Sequence, residues 1–397
     1  MVGQFALAVA ITTPILLFAG LALRTVQATD ARDDYTFGEY LALRILTTLA
    51  ALVLLALVVA IAALDDTTRW CIVAVGLAKA VESFSDLLHG VWQRHERMDL
   101  IGRSQILRGL VSLLTATVLL YVTDSVVWAS LGLVVCAAAT LVGYDVPITR
   151  RVAAGHDLGS TPFLRPNWNR LRIEQLWWLT MPLGLTVLLG ALVANIPRYA
   201  VEWSLGTADL GIFAALAWFT TAGNMVVNSL AHTAQPRLSR LHAEANLGAF
   251  RGLLLRLLTF AGALAIGAVS VAGWLGEIIL DFVYGPNYAA QSDVFLWLVV
   301  ALGLSFVVCF LDTALYAARR FVVQVPINLA VALLSAMACA VYVPRYGLHG
   351  AAGVVLGGTL VQVLARVVPV WQTANSSRET RSECLLGVAG ERQAVTP

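Results

Sequence analysis

Lysine is almost missing from this chain: Lys79 is its single representative, against 25 arginines in 397 residues. Charge of any kind is scarce, at 13% Asp, Glu, Lys and Arg where an ordinary soluble domain carries roughly 25%. With 59% hydrophobic residues and a mean hydropathy of +0.79, that scarcity excludes a water-soluble globule. The net charge of +2 is too small, and the basic residues too dispersed, for a nucleic-acid partner. Closely spaced cysteines are lacking as well. Cys71, Cys136, Cys309 and Cys339 fall in apolar runs and Cys384 in the polar tail, which excludes a disulfide framework and a metal knuckle. No Lys or Arg precedes Arg24, so the first apolar run reads as a spanning helix and not as a cleaved signal. Nucleotide-binding Gly-rich loops, metal-ligand clusters and nucleophile elbows are also absent. The sequence therefore leads us to expect no catalytic residue, no metal and no cofactor.

What the chain does have is apolar runs of about twenty residues, the length that crosses a ~30 Å hydrocarbon layer at 1.5 Å per residue. The expected fold class is all-α and polytopic, with eleven spans at about 3–23, 41–64, 70–90, 104–123, 125–148, 175–195, 210–231, 253–275, 294–316, 321–343 and 348–371. The tail from Gln372 is polar and is expected to be disordered. If the connector at 149–173 is cytoplasmic, 18 arginines lie inside, Arg24, Arg32, Arg94, Arg97, Arg103, Arg150, Arg151, Arg165, Arg170 and Arg172 among them. Only Arg69, Arg198 and Arg345 then lie outside. The positive-inside rule accordingly puts Met1 outside and the tail inside a cytoplasmic membrane.

An internal repeat organises these spans. Gly3-Gln-Phe5-Ala6 with Thr12, Thr13 and Thr25 matches Gly211-Ile-Phe213-Ala214 with Thr220, Thr221 and Thr233 at one offset. Gly38-Glu-Tyr40 and Leu43-Arg44-Ile45-Leu46-Thr47 match Gly248-Ala-Phe250 and Leu255-Arg256-Leu257-Leu258-Thr259 after a two-residue gap. The halves run in the same membrane direction and so form parallel repeats. The second copy begins one span earlier, at 175–195, so the first lacks its opening helix. The expected division is a five-span lobe at 1–148, an Arg-rich cytoplasmic linker at 149–173, a six-span lobe at 174–371 and a tail at 372–397.

The most informative segment places Lys79, Glu82, Asp86 and His89 at helical spacing on one face. Ionisable groups within a span must face protein or water. The face is thus either an ion-paired seam that packs the bundle or the polar wall of a transport cavity. Arg44 and Arg108 penetrate further into their spans than the interfacial arginines and are candidates for holding a phosphate; Arg366 is a similar, isolated case. Asn224 and Asn228, one turn apart, are suited to hydrogen-bonding a sugar or a neighbouring helix. Arg319 and Arg320 read as a topology signal, and Tyr284 to Ala289, YGPNYA, as a turn.

The stretch from Lys79 to Arg108, KAVESFSDLLHGVWQRHERMDLIGRSQILR, together with Pro236-Arg237-Leu238-Ser239 and YGPNYA, resembles the polysaccharide-export branch of the multidrug/oligosaccharidyl-lipid/polysaccharide flippase superfamily. The similarity runs from Gly3 to about Trp371. It implies two six-helix lobes around a cavity that opens alternately to either side, with an undecaprenyl-pyrophosphate-linked oligosaccharide as cargo. By position, Lys79, Arg44 and Arg108 would meet the pyrophosphate, with Asn224 and Arg366 as further substrate contacts. Glu82, Asp86 and Asp312 are the carboxylates available for coupling to a proton or cation. The implied partners are a lipid-linked glycan, membrane lipids and a glycan-synthesis complex. Three other readings remain open at this point: a multidrug/cation antiporter, a membrane glycan polymerase or glycosyltransferase, and a scaffold within such a complex.

Overall fold

The computed structural model describes residues 1–29, 34–62, 64–95, 97–155, 164–244, 246–318 and 323–375. Arg32, Arg319, Arg320, Cys384, the middle of the expected linker and nearly all of the expected disordered tail lie outside these residues. Among the described residues every regular element is a helix. In the first half these are α1 (Val2–Gly20), α2 (Leu23–Thr29), α3 (Phe37–Ile61), α4 (Asp66–Arg94), α5 (Met98–Thr123), α6 (Val126–Thr140), a π-helical turn (Leu141–Asp145) and α7 (Val146–Gly155). The remainder comprises α8 (Arg170–Leu205), α9 (Thr207–Ala243), α10 (Leu247–Tyr284), the single turn α11 (Pro286–Ala289), α12 (Ser292–Ala317) and α13 (Gln324–Asn375).

Polar residues punctuate the apolar runs. The Asp65 carboxylate accepts from the Thr68 amide at 3.1 Å to start α4, Asn246 accepts from the Ala249 amide at 3.1 Å to start α10, and the Thr36 amide donates to Glu39 at 2.8 Å at the head of α3. Left-handed backbone marks the breaks. Leu21 (φ 48°) and Ala22 (φ 49°) turn the chain from α1 into α2, and Gly347 (φ 59°) kinks α13, a conformation that favours glycine because a Cβ is costly there. YGPNYA, expected as a turn, is a helix end at Tyr284, Gly285 at φ 92°, and the one-turn α11 begun by Pro286.

By length and composition nine helices among the described residues can cross a membrane, not the eleven expected. The difference has two physical causes. The expected span at 70–90 lies on α4, whose Lys79, Glu82 and Asp86 make it more polar than its neighbours; those at 321–343 and 348–371 run together as α13. Large apolar side chains stand in the open along the helices, such as Leu113, Leu114 and Val122 on α5 and Trp274, Ile278 and Phe282 on α10. Exposed apolar surface on this scale suits hydrocarbon and not water. The chain is a multi-pass membrane protein.

Contacts divide the chain into two compact units: Met1–Glu202 with Gly206–Gly211, and Trp203–Leu205 with Ile212–Pro397. In the first, Ala8, Leu55, Cys71, Ile72 and Val75 form one core and Leu21, Leu23, Tyr40, Leu43, Leu87 and Leu176 another. Leu176 belongs to α8, so the helix that the repeat counts with the second copy packs in the first unit. The Tyr199 hydroxyl fastens it further by donating to the Ala10 carbonyl at 2.5 Å. In the second unit α9, α10, α12 and α13 enclose cores around Phe250 and Leu315 and around Phe306 and Phe310.

Candidate functional site

In the first unit the most deeply buried guanidinium is that of Arg44. Its position on α3 faces α4, and its side chain is only 2% exposed. It approaches the Asp86 carboxylate at 3.9 Å, while Arg24, brought back by the turn at Leu21 and Ala22, reaches the other Asp86 oxygen at 3.2 Å and Gln93 Oε1 at 2.9 Å. Two guanidinium groups therefore share one carboxylate. Nε and Nη2 of Arg44 have no hydrogen-bond acceptor among the described residues. Buried guanidinium donors are costly to leave empty, and their planar fork matches a phosphate or carboxylate.

The other expected residues distribute differently. Lys79 and Glu82 are half-buried and form no ion pair or hydrogen bond among the described residues, so they do not build the ion-paired seam that the sequence left open. Arg108 donates to Gln105 on its own helix at 2.7 Å, and no contact joins it to Arg44. His89, grouped with the same face in the sequence, turns into a buried cluster with Ser104 and Asp145. A cavity of about 1020 Å³ opens between α1, α3 and α8. Leu43 and Thr47, flanking Arg44 on α3, line it with Ile15, Phe18, Leu54 and Leu188.

In the second unit Arg366, 2% exposed, donates to Asp312 at 2.5 Å and to Asn328 Oδ1 at 2.9 Å. A substrate contact and a coupling carboxylate, as the sequence had them, are thus each other's partner. Asn224 accepts from Ser305 at 2.8 Å and Asn228 from Cys309 at 3.0 Å, so both asparagines bond a neighbouring helix.

The all-helical membrane fold agrees with the match to known proteins. Residues 1–242 fit the family model described as "Polysaccharide biosynthesis protein". The chain belongs to that family. A curated relative is the capsular polysaccharide biosynthesis protein CapF of Staphylococcus aureus, 26% identical over 353 residues, covering 88% of this chain and 86% of CapF. An inward-facing multidrug resistance MATE family transporter of the MOP superfamily has a similar fold, at TM-score 0.74 and 12% identity over 95% of this chain and 92% of that one. A MOP superfamily transporter from Pyrococcus furiosus, described by the reverse polarity of its binding pocket, matches at TM-score 0.61 and 11% identity, over 93% and 84% of the two chains.

For this member of the polysaccharide biosynthesis family, sequence reasoning missed Arg24 and Asp145. Arg24 reads as one more interfacial arginine, because the left-handed residues of the turn that aims it at Asp86, Leu21 and Ala22, are not glycines. Asp145 had a usable signal: it is the one carboxylate in an otherwise apolar run from Val126 to Ile148.

Proposed function

We propose that this chain is a flippase that moves a polyprenyl-pyrophosphate-linked oligosaccharide across the cytoplasmic membrane, with its start outside and its tail inside. The observation that carries this reading is Arg44, buried and with two empty donors, beside Arg24 and only one carboxylate. A net cationic site inside the apolar bundle is suited to an anionic head group, which cannot cross hydrocarbon without a partner. Arg24 and Arg44 hold the pyrophosphate, Asp86 is the counter-ion of the empty state, and Lys79 supplies a further unpaired cation. The apolar cavity beside Arg44 suits a hydrocarbon tail. No bond is made or broken in this work.

The MATE-like fold favours a second reading, a multidrug antiporter, but cationic drugs call for an excess of carboxylate and the Arg24–Arg44–Asp86 cluster has the opposite balance. Reconstituted protein distinguishes the two. Translocation of a fluorescent undecaprenyl-pyrophosphate sugar, abolished in Arg44→Met and partly kept in Arg44→Lys, is the expected result. Accumulation of a cationic dye with no movement of the glycolipid would overturn the proposal.

A further inference from the structure

The repeat equates α4 with α12 through Gly76-Leu77 and Gly303-Leu304. Extended along the chain, that correspondence brings two buried polar clusters into register. In the first unit Ser104 donates to Asp145 Oδ1 at 2.6 Å, His89 Nε2 lies 3.2 Å from the same hydroxyl and 3.8 Å from the carboxylate, and Ser85 sits beside it. In the second unit Asp312, Asn328 and Arg366 are bonded to one another. Ser85 and Asp312, Ser104 and Asn328, and Asp145 and Arg366 are separated by 227, 224 and 221 residues, a steadily shrinking offset on corresponding helices. Each unit therefore carries a polar clasp on corresponding segments: α4, α5 and the π-helical turn in the first, α12 and the two arms of α13 on either side of Gly347 in the second.

The two clasps differ in chemistry. The second is an arginine–carboxylate pair, and arginine holds its proton at every physiological pH. In the first the acid has moved to the last helix and its cationic partner is an imidazole, the one side chain that ordinarily titrates near neutrality. Asp145 is fully buried and His89 is 1% exposed, and Asp145 Oδ2 has no partner among the described residues. With His89 neutral, a buried carboxylate stands uncompensated; one proton added to the imidazole turns the same residues into a matched ion pair. Asp145 closes the π-helical turn, a local unwinding common at functional sites.

Among the described residues no other ion pair to Asp145 or His89 is formed. Asp86 on α4 is engaged by Arg24 and Arg44, and Arg94 and His95 at the end of α4 have partners of their own. On α5 Asp99 pairs with Arg97 and Arg103, and Arg108 bonds Gln105. Arg150 and Arg151 on α7 are exposed, and the neighbouring aromatic groups are Trp92, its ring 5.0 Å from His89 and tilted 36° to it, and Tyr144, edge-on to Trp92.

We propose that His89 and Asp145 form a proton-binding site that couples transport to pH, taking one proton from water onto the imidazole in one state of the cycle and releasing it in the other. The pair, and not Glu82, Asp86 or Asp312, then carries the coupling; the role in transport rests on the flippase reading above, the proton site itself does not.

Trp92 is a built-in reporter, because an imidazolium ring in contact with an indole quenches its emission. In the purified full-length chain, the emission of wild type minus that of Trp92→Phe is expected to fall on acidification. His89→Gln, which can still bond Ser104, abolishes that titration. Asp145→Asn shifts it to lower pH by removing the charge that favours imidazolium; if this variant does not fold, Ser104→Ala leaves both charges and must retain the titration. A flat wild-type difference, or an unchanged one in His89→Gln, overturns the site. For coupling, proteoliposomes carrying the fluorescent undecaprenyl-pyrophosphate sugar are compared with and without an imposed pH gradient. The ratio of the two rates exceeds one in wild type and falls to one in His89→Gln. A ratio that persists in His89→Gln overturns the coupling role while the flippase reading stands. A wild type that titrates at Trp92 but does not move the glycolipid sinks the flippase reading and leaves the proton site.

Discussion

Asp312→Asn is the perturbation whose size the structure allows to be worked most directly. The variant removes the negative charge opposite Arg366, a guanidinium with 3% of its side chain exposed. Breaking a buried ion pair from one side costs about 3–5 kcal/mol, since the remaining charge is left desolvated. Two bonds soften the loss, because Asn328 Oδ1 and the Gln362 carbonyl still accept from Arg366 and the new amide oxygen can accept a third. A cost near the lower bound, about 3 kcal/mol, is therefore expected. Ordinary polar contacts between membrane helices average only about 0.6 kcal/mol, so the effect of a stranded charge stands clear of that background. For a unit of this size about 1 kcal/mol corresponds to 2–4 °C in Tm, which puts the shift at about 6–12 °C. Thermal unfolding of the purified chain in detergent measures it. The double variant Asp312→Leu with Arg366→Met removes both charges and is expected to recover most of the stability. Per folded molecule it should also move the glycolipid at a rate close to wild type, since a clasp has no cargo to hold. A double variant as unstable as the single one would refute the ion-pair reasoning, and a stable double variant that transports nothing would return Arg366 and Asp312 to the substrate path.

Three further outcomes are expected. Lys79→Met loses glycolipid export per folded molecule while Lys79→Arg keeps part of it, because the charge survives with a larger head; wild-type export by Lys79→Met would remove this residue from the mechanism. Cysteine labelling at Met1 from outside and at Ser377 from inside tests the orientation, and both ends on one side would mean that a span has been miscounted. The Thr68 hydroxyl and amide hold the Asp65 carboxyl below its ordinary range, so its stabilisation of α4 is present above the unfolded carboxylate value and disappears as pH falls through the lower folded one. Asp65→Ala accordingly costs about 1 kcal/mol at pH 7 and nothing in strong acid; a loss independent of pH in thermal unfolding would contradict the cap.

The all-helical membrane fold and the family were legible in the order of residues, because hydrocarbon thickness and helical rise translate apolar length directly into a crossing helix, whereas the count of eleven spans was not reproduced. Helical periodicity also put Arg44, Lys79 and Asp86 at their angular positions about their own axes. What periodicity cannot say is which neighbour lies opposite. The left-handed pair Leu21 and Ala22 swings Arg24 onto Asp86 and leaves Lys79 unpaired, although Lys79 is the nearer cation in the chain. The clasps depend still more on tertiary structure. Asp312 and Arg366 lie 54 residues apart and Ser104 and Asp145 lie 41 apart, and only the packing of separate helices brings each pair within hydrogen-bonding distance. In a bundle whose exterior is hydrocarbon, a charge must turn inward to the partner that packing provides, so sequence determined which helices carry charge and tertiary structure decided how each charge is paired.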